Sequence, residues 1–190
     1  MDAFLLSFGV IFIAELGDKS QLMALAFATR FPALSVLVAI TLATALVHLG
    51  SVALGATVAL ALPTNLVSIV AGLAFLVFAA WTLRGDVLGE ADAARTQRDA
   101  SRSVVLTVGV AFFLAELGDK TMLATVTLAT HEEALGTWLG STAGMVAADA
   151  IAIGIGKVLG TRLPERAIRI GAAVAFVAFG AILIWEGLRG

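Results

Sequence analysis

A chain of 190 residues that is 60% hydrophobic, only 14% charged and has a mean hydropathy of +1.02 is far more apolar than a soluble domain. The composition points to an integral membrane protein. With no cysteine, disulfide frameworks and thiolate metal sites are excluded, and a net charge of −2 without a basic, aromatic-interleaved surface gives no sign of a nucleic-acid partner.

A helix needs about 20 mostly apolar residues to cross the hydrocarbon core, and six segments qualify. The first, 3–29, begins in "MDAFLLSF", which has Asp2 where a secretory signal would have positive charge, so it reads as the start of a retained helix. Pro32 precedes the second span, 33–61, and Pro63 the third, 65–84. From Arg84 to Arg102 the chain is polar throughout and reads as a loop. The fourth span covers 103–130, the fifth 134–157, and the sixth, after Pro164, 167–187. The predicted fold is all-α, with six transmembrane helices.

Sliding the chain by 101 residues superposes Glu15 on Glu116, Asp18 on Asp119, Lys19 on Lys120 and Ser20 on Thr121 without a gap. The same shift brings Thr29 onto Thr130, Pro63 onto Pro164, Phe75 onto Phe176 and Phe78 onto Phe179. The expected organisation is therefore a three-helix repeat over 1–84, a cytoplasmic linker over 85–102 and a second repeat over 103–190. An odd number of spans in each half forces the second half to enter from the opposite side, giving an inverted-topology repeat. Arg30, Arg84, Arg95, Arg98, Arg102, Lys157, Arg162 and Arg166 fall on one side, with Arg169 close by, whereas Arg189 stands alone on the other. Cytoplasmic loops carry the positive excess, so both termini are expected outside. Trp81, Trp138 and Trp185 lie near span ends and read as interfacial anchors. Gly140 with Gly144, and Gly156 with Gly160, have the small-xxx-small spacing of close helix packing.

The chemistry lies in "AELGDKS" from Ala14 and "AELGDKT" from Ala115, each inside an apolar span. On a continuous helix Glu15 and Asp18 share a face, about 5–6 Å apart, with Lys19 bordering it. Gly17 permits either close approach of another helix or a local unwinding that frees carbonyl oxygens. Four such acids facing lipid would cost on the order of 10 kcal/mol, so they must face inward. Equivalent helices of inverted repeats converge near the midplane, which predicts a cluster of four carboxylates. With Asp149, five acids face two lysines, a deficit of three positive charges that a divalent cation, protons, or both in turn would remove.

Oxygen ligands suit Mg, Ca and Mn, and Ser20, Thr121 and Gln21 offer neutral oxygens. Crowded like charges in low dielectric also favour proton binding, so cation and protons would compete for one site. Lys19 and Lys120 read as pairing partners that hold the carboxylates or help release the cation. His48 and Asp149 coincide under the 101-residue shift, both mid-span, and are candidates for a proton relay or for partners of the ligands. Glu132 and Glu133, in the short loop, read as solvated. A purely structural ion-pair lock is the bland alternative, but it has no need of surplus negative charge.

Glu-x-Gly-Asp-Lys-Ser/Thr, written twice in a six-span chain of this size, resembles the signature of the Golgi and bacterial calcium/manganese:proton antiporter family, grouped with lysine-exporter-like transporters. The resemblance covers the whole chain. It implies export of a divalent cation, Mn2+ or else Ca2+, from the cytoplasm in exchange for protons, across a bacterial inner membrane. It also implies acidic ligands at Glu15, Asp18, Glu116 and Asp119, with Lys19, Ser20, Lys120 and Thr121 following them. Gln21 has Met122 as its counterpart, so the halves need not contribute equally. The expected partners are the transported cation, protons and membrane lipid; no resident cofactor is implied and no feature sets an oligomeric state. A lysine-type exporter of a small cationic amine is the alternative. Catalysis is not expected, because intramembrane aspartyl proteases carry Gly-x-Gly-Asp and here the first glycine is Glu.

Overall fold

A computed structural model describes residues 2–84, 103–159 and 165–189, all helical apart from short connections. The helices are α1 (Asp2–Glu15), α2 (Lys19–Ala28), α3 (Ala33–Ala61), α4 (Thr64–Arg84), α5 (Val104–Glu116), α6 (Lys120–Leu128), α7 (Ala134–Leu159) and α8 (Glu165–Arg189). The expected linker 85–102, with Gly160 and Pro164, lies outside the described residues, as does the side chain of Lys157.

Two of the expected spans are not continuous helices. The first is divided into α1 and α2 at 16–18, and the fourth into α5 and α6 at 117–119. Gly17 (φ 75°) and Gly118 (φ 80°) occupy the left-handed region, which a side chain makes costly. Each glycine interrupts the helix, and the next residue, Asp18 or Asp119, starts a new helix as its N-cap. The expectation that Glu15 and Asp18 share one helical face is thus corrected: the unwinding that glycine permits is what occurs.

Other boundaries follow from local chemistry. Thr29 and Thr130, equivalent in the two halves, each donate a hydroxyl hydrogen bond three residues back, to Ala26 O (2.7 Å) and Thr127 O (2.6 Å), closing the last turns of α2 and α6. Helix α3 stops at Ala61, two residues before Pro63, because the residue preceding proline is driven out of the helical region.

Helix α1 runs parallel to α7, with its backbone at Phe4 and Phe8 against Gly140 and Gly144; a Cβ at Gly144 would lie 2.6 Å from the Phe8 carbonyl oxygen. The expected small-residue contact is present at this pair. Helices α3 and α7 are antiparallel and touch where the Thr44 hydroxyl meets Met145 Sδ at 3.3 Å. Helices α4 and α8 are also antiparallel, with Gly72 against Gly180 and the Phe75 and Phe176 rings 5.8 Å apart. Helix α3 packs in turn on α5, leaving an apolar cleft of about 460 Å³ bordered by Ala43, Leu46, Gly109 and Phe113.

The distribution of side chains is inverted relative to a soluble protein. Leu42, Leu46, Leu49, Leu73, Val77, Leu106 and Val174 are exposed, whereas Glu15, Asp18, Glu116, Asp119 and Asp149 are at most 2% exposed. Such a surface suits hydrocarbon, with the polar groups turned inward. Among the described residues, α3 and residues 65–84 of α4 are long and apolar enough to cross a membrane by themselves, and α5 is a shorter apolar helix. The half-buried Trp138 also joins helices: its indole N–H donates to Ala45 O at 2.9 Å, tying α7 to α3. Trp185 is exposed, with the Arg189 guanidinium 4.0 Å above its ring.

Candidate cation site at two broken helices

At each break a helix of one half ends and another begins, so four helix ends meet buried acids. Glu15 is the last residue of α1 and Glu116 the last of α5; Asp18 and Asp119 stand at the positive N-terminal ends of α2 and α6, where a carboxylate is favoured. The connection is held by backbone bonds from Asp18 N–H to Glu15 O (3.0 Å) and from Asp119 N–H to Glu116 O (3.1 Å).

Each glutamate is held within its own half. The Ser20 hydroxyl donates to Glu15 Oε1 and lies 3.1 Å from Asp18 Oδ2, and the Thr121 hydroxyl donates to Glu116 Oε2 at 2.9 Å. The lysines, by contrast, cross between halves. Lys120 Nζ pairs with Asp18 Oδ1, and Lys19 Nζ lies 2.9 Å from Asp119 Oδ1. The two pairs are exchanged by the 101-residue shift, and they bring the two motifs together across the interior. Sequence spacing suggested that each lysine borders its own motif; the breaks send it to the other one.

Charge is unevenly compensated. Both aspartates have an ammonium partner, but Glu15 Oε2, Glu116 Oε1 and both oxygens of Asp149 accept no hydrogen bond among the described residues. Glu15 lies within electrostatic range of Asp18, Glu116, Asp149 and Asp119, so all five acids belong to one region. Among the described residues, no group of three or more His, Asp or Glu side chains is gathered tightly enough to hold a metal ion. The lysines stand among the acids instead.

Gln21 is not a free ligand. Its Oε1 accepts the Gly17 N–H at 2.8 Å and its Nε2 donates to Ala148 O at 3.0 Å, fastening the first break to α7 next to Asp149. Met122 is the counterpart in the second half, where its Sδ lies 3.1 Å from the Gly118 N–H, a weaker acceptor in the same place. His48 on α3 is buried with Nδ1 unpartnered among the described residues. The fully exposed Glu133 is more than a solvated charge: its carboxylate accepts from Leu135 N–H (2.8 Å) and Gly136 N–H (2.7 Å), capping α7. These bonds hold its carboxyl below the usual glutamate range.

The profile of the family described as "Divalent cation/proton antiporter GDT1" matches residues 3–90 and 104–190, nearly the whole chain. The chain belongs to the GDT1 family. As a GDT1 antiporter it is an integral membrane protein that exchanges a divalent cation for protons. Similar GDT1 proteins include the "Putative manganese exporter" of Vibrio cholerae, 34% identical over 181 residues that cover 93% of this chain and 88% of that protein. "Protein PAM71, chloroplastic" of Arabidopsis thaliana is 32% identical over 206 residues, covering 95% of this chain and 56% of that protein. "GDT1-like protein sll0615" of Synechocystis is 26% identical over 202 residues, covering 97% and 98%. No solved structure matches.

Proposed function

We propose that the chain exports Mn2+ from the cytoplasm in exchange for protons, at a site formed by Glu15, Asp18, Glu116 and Asp119. The observation that carries this reading is the crossed pairing of Lys19 with Asp119 and Lys120 with Asp18, which leaves two buried glutamates without a cation. A divalent ion attracted to those glutamates would also draw on the aspartates, competing with the ammonium groups; when it leaves, the lysines return to the aspartates and protons neutralise the glutamates. The carbonyl ends of α1 and α5 add negative partial charge on the side where a cation is wanted. Mn2+ accepts such an oxygen set, and the Vibrio cholerae relative's name favours it over Ca2+.

The same reading takes the chain as six spans in two inverted repeats, α1–α4 and α5–α8. Supporting it, α1 with α7 and α3 with α5 are the same contact exchanged between halves. Thr44 meets its own equivalent, Met145, and Phe75 meets Phe176, as expected for residues beside a two-fold axis. The chain directions across these contacts alternate as six successive crossings require. The excess of Lys and Arg on one side puts the linker in the cytoplasm and both termini outside, across a bacterial plasma membrane. Gln21, Ser20, Thr121 and Asp149 support the site, and His48 lies beyond it on α3.

Reconstituted protein tests this directly. Mn2+ flux should be driven by an imposed pH gradient, be lost in Glu15→Gln and Glu116→Gln, and be indifferent to lysine and other amino acids. Flux of an amine with no response to Mn2+ would overturn the reading.

A further inference from the structure

Comparing the two halves position by position exposes a difference that the paired motif conceals. Ser7 on α1, Ser51 on α3, and Thr137 and Ser141 on α7 are buried. Their equivalents under the 101-residue shift are Val108, Ala152, Val36 and Ile40, also buried but apolar. Thr125 on α6 likewise answers to Ala24.

The hydroxyl set lies on one side of the site. Ala3 and Ser7 sit on the buried stripe of α1 that meets α7, where Ala3 packs at Gly136 and Phe4 at Gly140. Thr137, Ser141 and Met145 recur at helical spacing on α7, and Thr44, His48 and Ser51 do so on α3. Because α3 and α7 are antiparallel and meet at Thr44 and Met145, His48 and Ser51 lie at the level of Ser141 and Thr137. All of these residues fall between the motif and the end of the bundle that holds His131. The opposite side is filled by Met23, Phe27, Val36, Ile40, Val108 and Phe112, a continuous apolar cluster.

Ser7 Oγ, His48 Nδ1, Thr137 Oγ1 and Ser141 Oγ have no hydrogen-bond partner among the described residues; beside the apolar cluster the half-buried Thr107 on α5 also has an unpartnered hydroxyl, but no stripe of them. Polar atoms buried in a spanning bundle are costly unless something satisfies them. We propose that Ser7, His48, Ser51, Thr137 and Ser141 line the outer route between the site and the exterior, used by departing Mn2+ and entering protons, while the Phe27–Phe112 cluster closes the cytoplasmic side. This rests on the orientation and repeat proposed above. The two halves are alike in their ligands but unlike in their passages, so the outer passage can admit water before the inner one.

The chain has no cysteine, so single thiols report without background. Thr137→Cys, Ser141→Cys, Val36→Cys and Ile40→Cys are reconstituted, checked for Mn2+ flux, and exposed from one face at a time to a membrane-impermeant cationic thiosulfonate. Only a hydrated thiol ionises readily, and one pKa unit is tenfold in thiolate, so the Ser141 and Thr137 variants should react from outside at least about tenfold faster than the Ile40 and Val36 variants. Equal rates for Ser141→Cys and Ile40→Cys overturn the proposal. Reaction of Ser141→Cys only from the cytoplasmic face upholds the hydroxyl-lined route and overturns the orientation. In addition, Ser141→Val should slow turnover with equilibrium Mn2+ binding unchanged, and Ser141→Thr should restore it; wild-type turnover in Ser141→Val also overturns the proposal.

Discussion

Removing the Lys120 ammonium is the sharpest test of the crossed pairs. Lys120 is 4% exposed and Asp18 fully buried, so Lys120→Met takes the ammonium away from a carboxylate that water does not reach. Breaking a buried pair by deleting one partner costs about 3–5 kcal/mol. Asp119 is buried too, but the Lys19 side chain is 23% exposed, so water can follow the substituted side chain inward in Lys19→Met and the loss should be smaller, about 1–3 kcal/mol. Neutralising the stranded acid should recover much of the loss, making Lys120→Met/Asp18→Asn more stable than Lys120→Met alone. The assay is unfolding in detergent of wild type, single and double variants, arranged as double-mutant cycles. Coupling should be above about 1 kcal/mol for Lys120 with Asp18 and for Lys19 with Asp119, and larger for each of these pairs than for Lys120 with Asp119. Mn2+ should stabilise Lys120→Met more than wild type, because the ion takes over the role of the missing ammonium. Coupling of Lys120 to Asp119 in place of Asp18, or equal losses in the two methionine variants, would refute the reasoning.

Glu15→Gln and Glu116→Gln, which keep the side-chain shape, should each abolish pH-driven Mn2+ flux while the protein still migrates as a single folded species in gel filtration. Gly118 has positive φ and open space around a would-be Cβ, so Gly118→Ala isolates the backbone penalty: a loss of about 1–2 kcal/mol in unfolding, with Gly118→Asn losing less. Gly144→Ala should destabilise by about 1–3 kcal/mol, because its Cβ would meet the Phe8 carbonyl. Gly109→Ala, whose Cβ would lie 3.7 Å from Ala39 O, should instead stabilise by about 0.5–1 kcal/mol; opposite signs in thermal unfolding check the close approach of α1 to α7. Since the Glu133 carboxyl is held low by its two backbone bonds, its contribution is present above the ordinary glutamate value and disappears as pH falls through the lowered one. The melting temperatures of wild type and Glu133→Gln should therefore differ at neutral pH and converge in acid.

Much of the candidate site was legible in the sequence. Intramembrane charge is expensive, so Glu15, Asp18, Glu116, Asp119 and Asp149 declared themselves by standing in apolar runs, and the 101-residue repeat paired the first four with one another and Asp149 with His48. The inward orientation of these acids followed from energy alone and agrees with their burial. Gly17 announced that the helix could break, but a glycine is compatible with both continuation and interruption, and only the backbone torsions decide. Gln21 was readable as an oxygen donor; that its oxygen is engaged by Gly17 N–H and its amide by Ala148 could not be read, since one partner is 127 residues away.

Composition and periodicity determined by themselves that this chain buries its charges and exposes its leucines, because the free energy of a charge in hydrocarbon does not depend on which helix carries it. Partner choice was decided only by the tertiary structure. Lys19 stands four residues after Glu15, but once the helix is broken the ammonium can reach Asp119 in the other half. Ionic pairing depends on distance and desolvation in space, and sequence spacing reports these only while the helix continues.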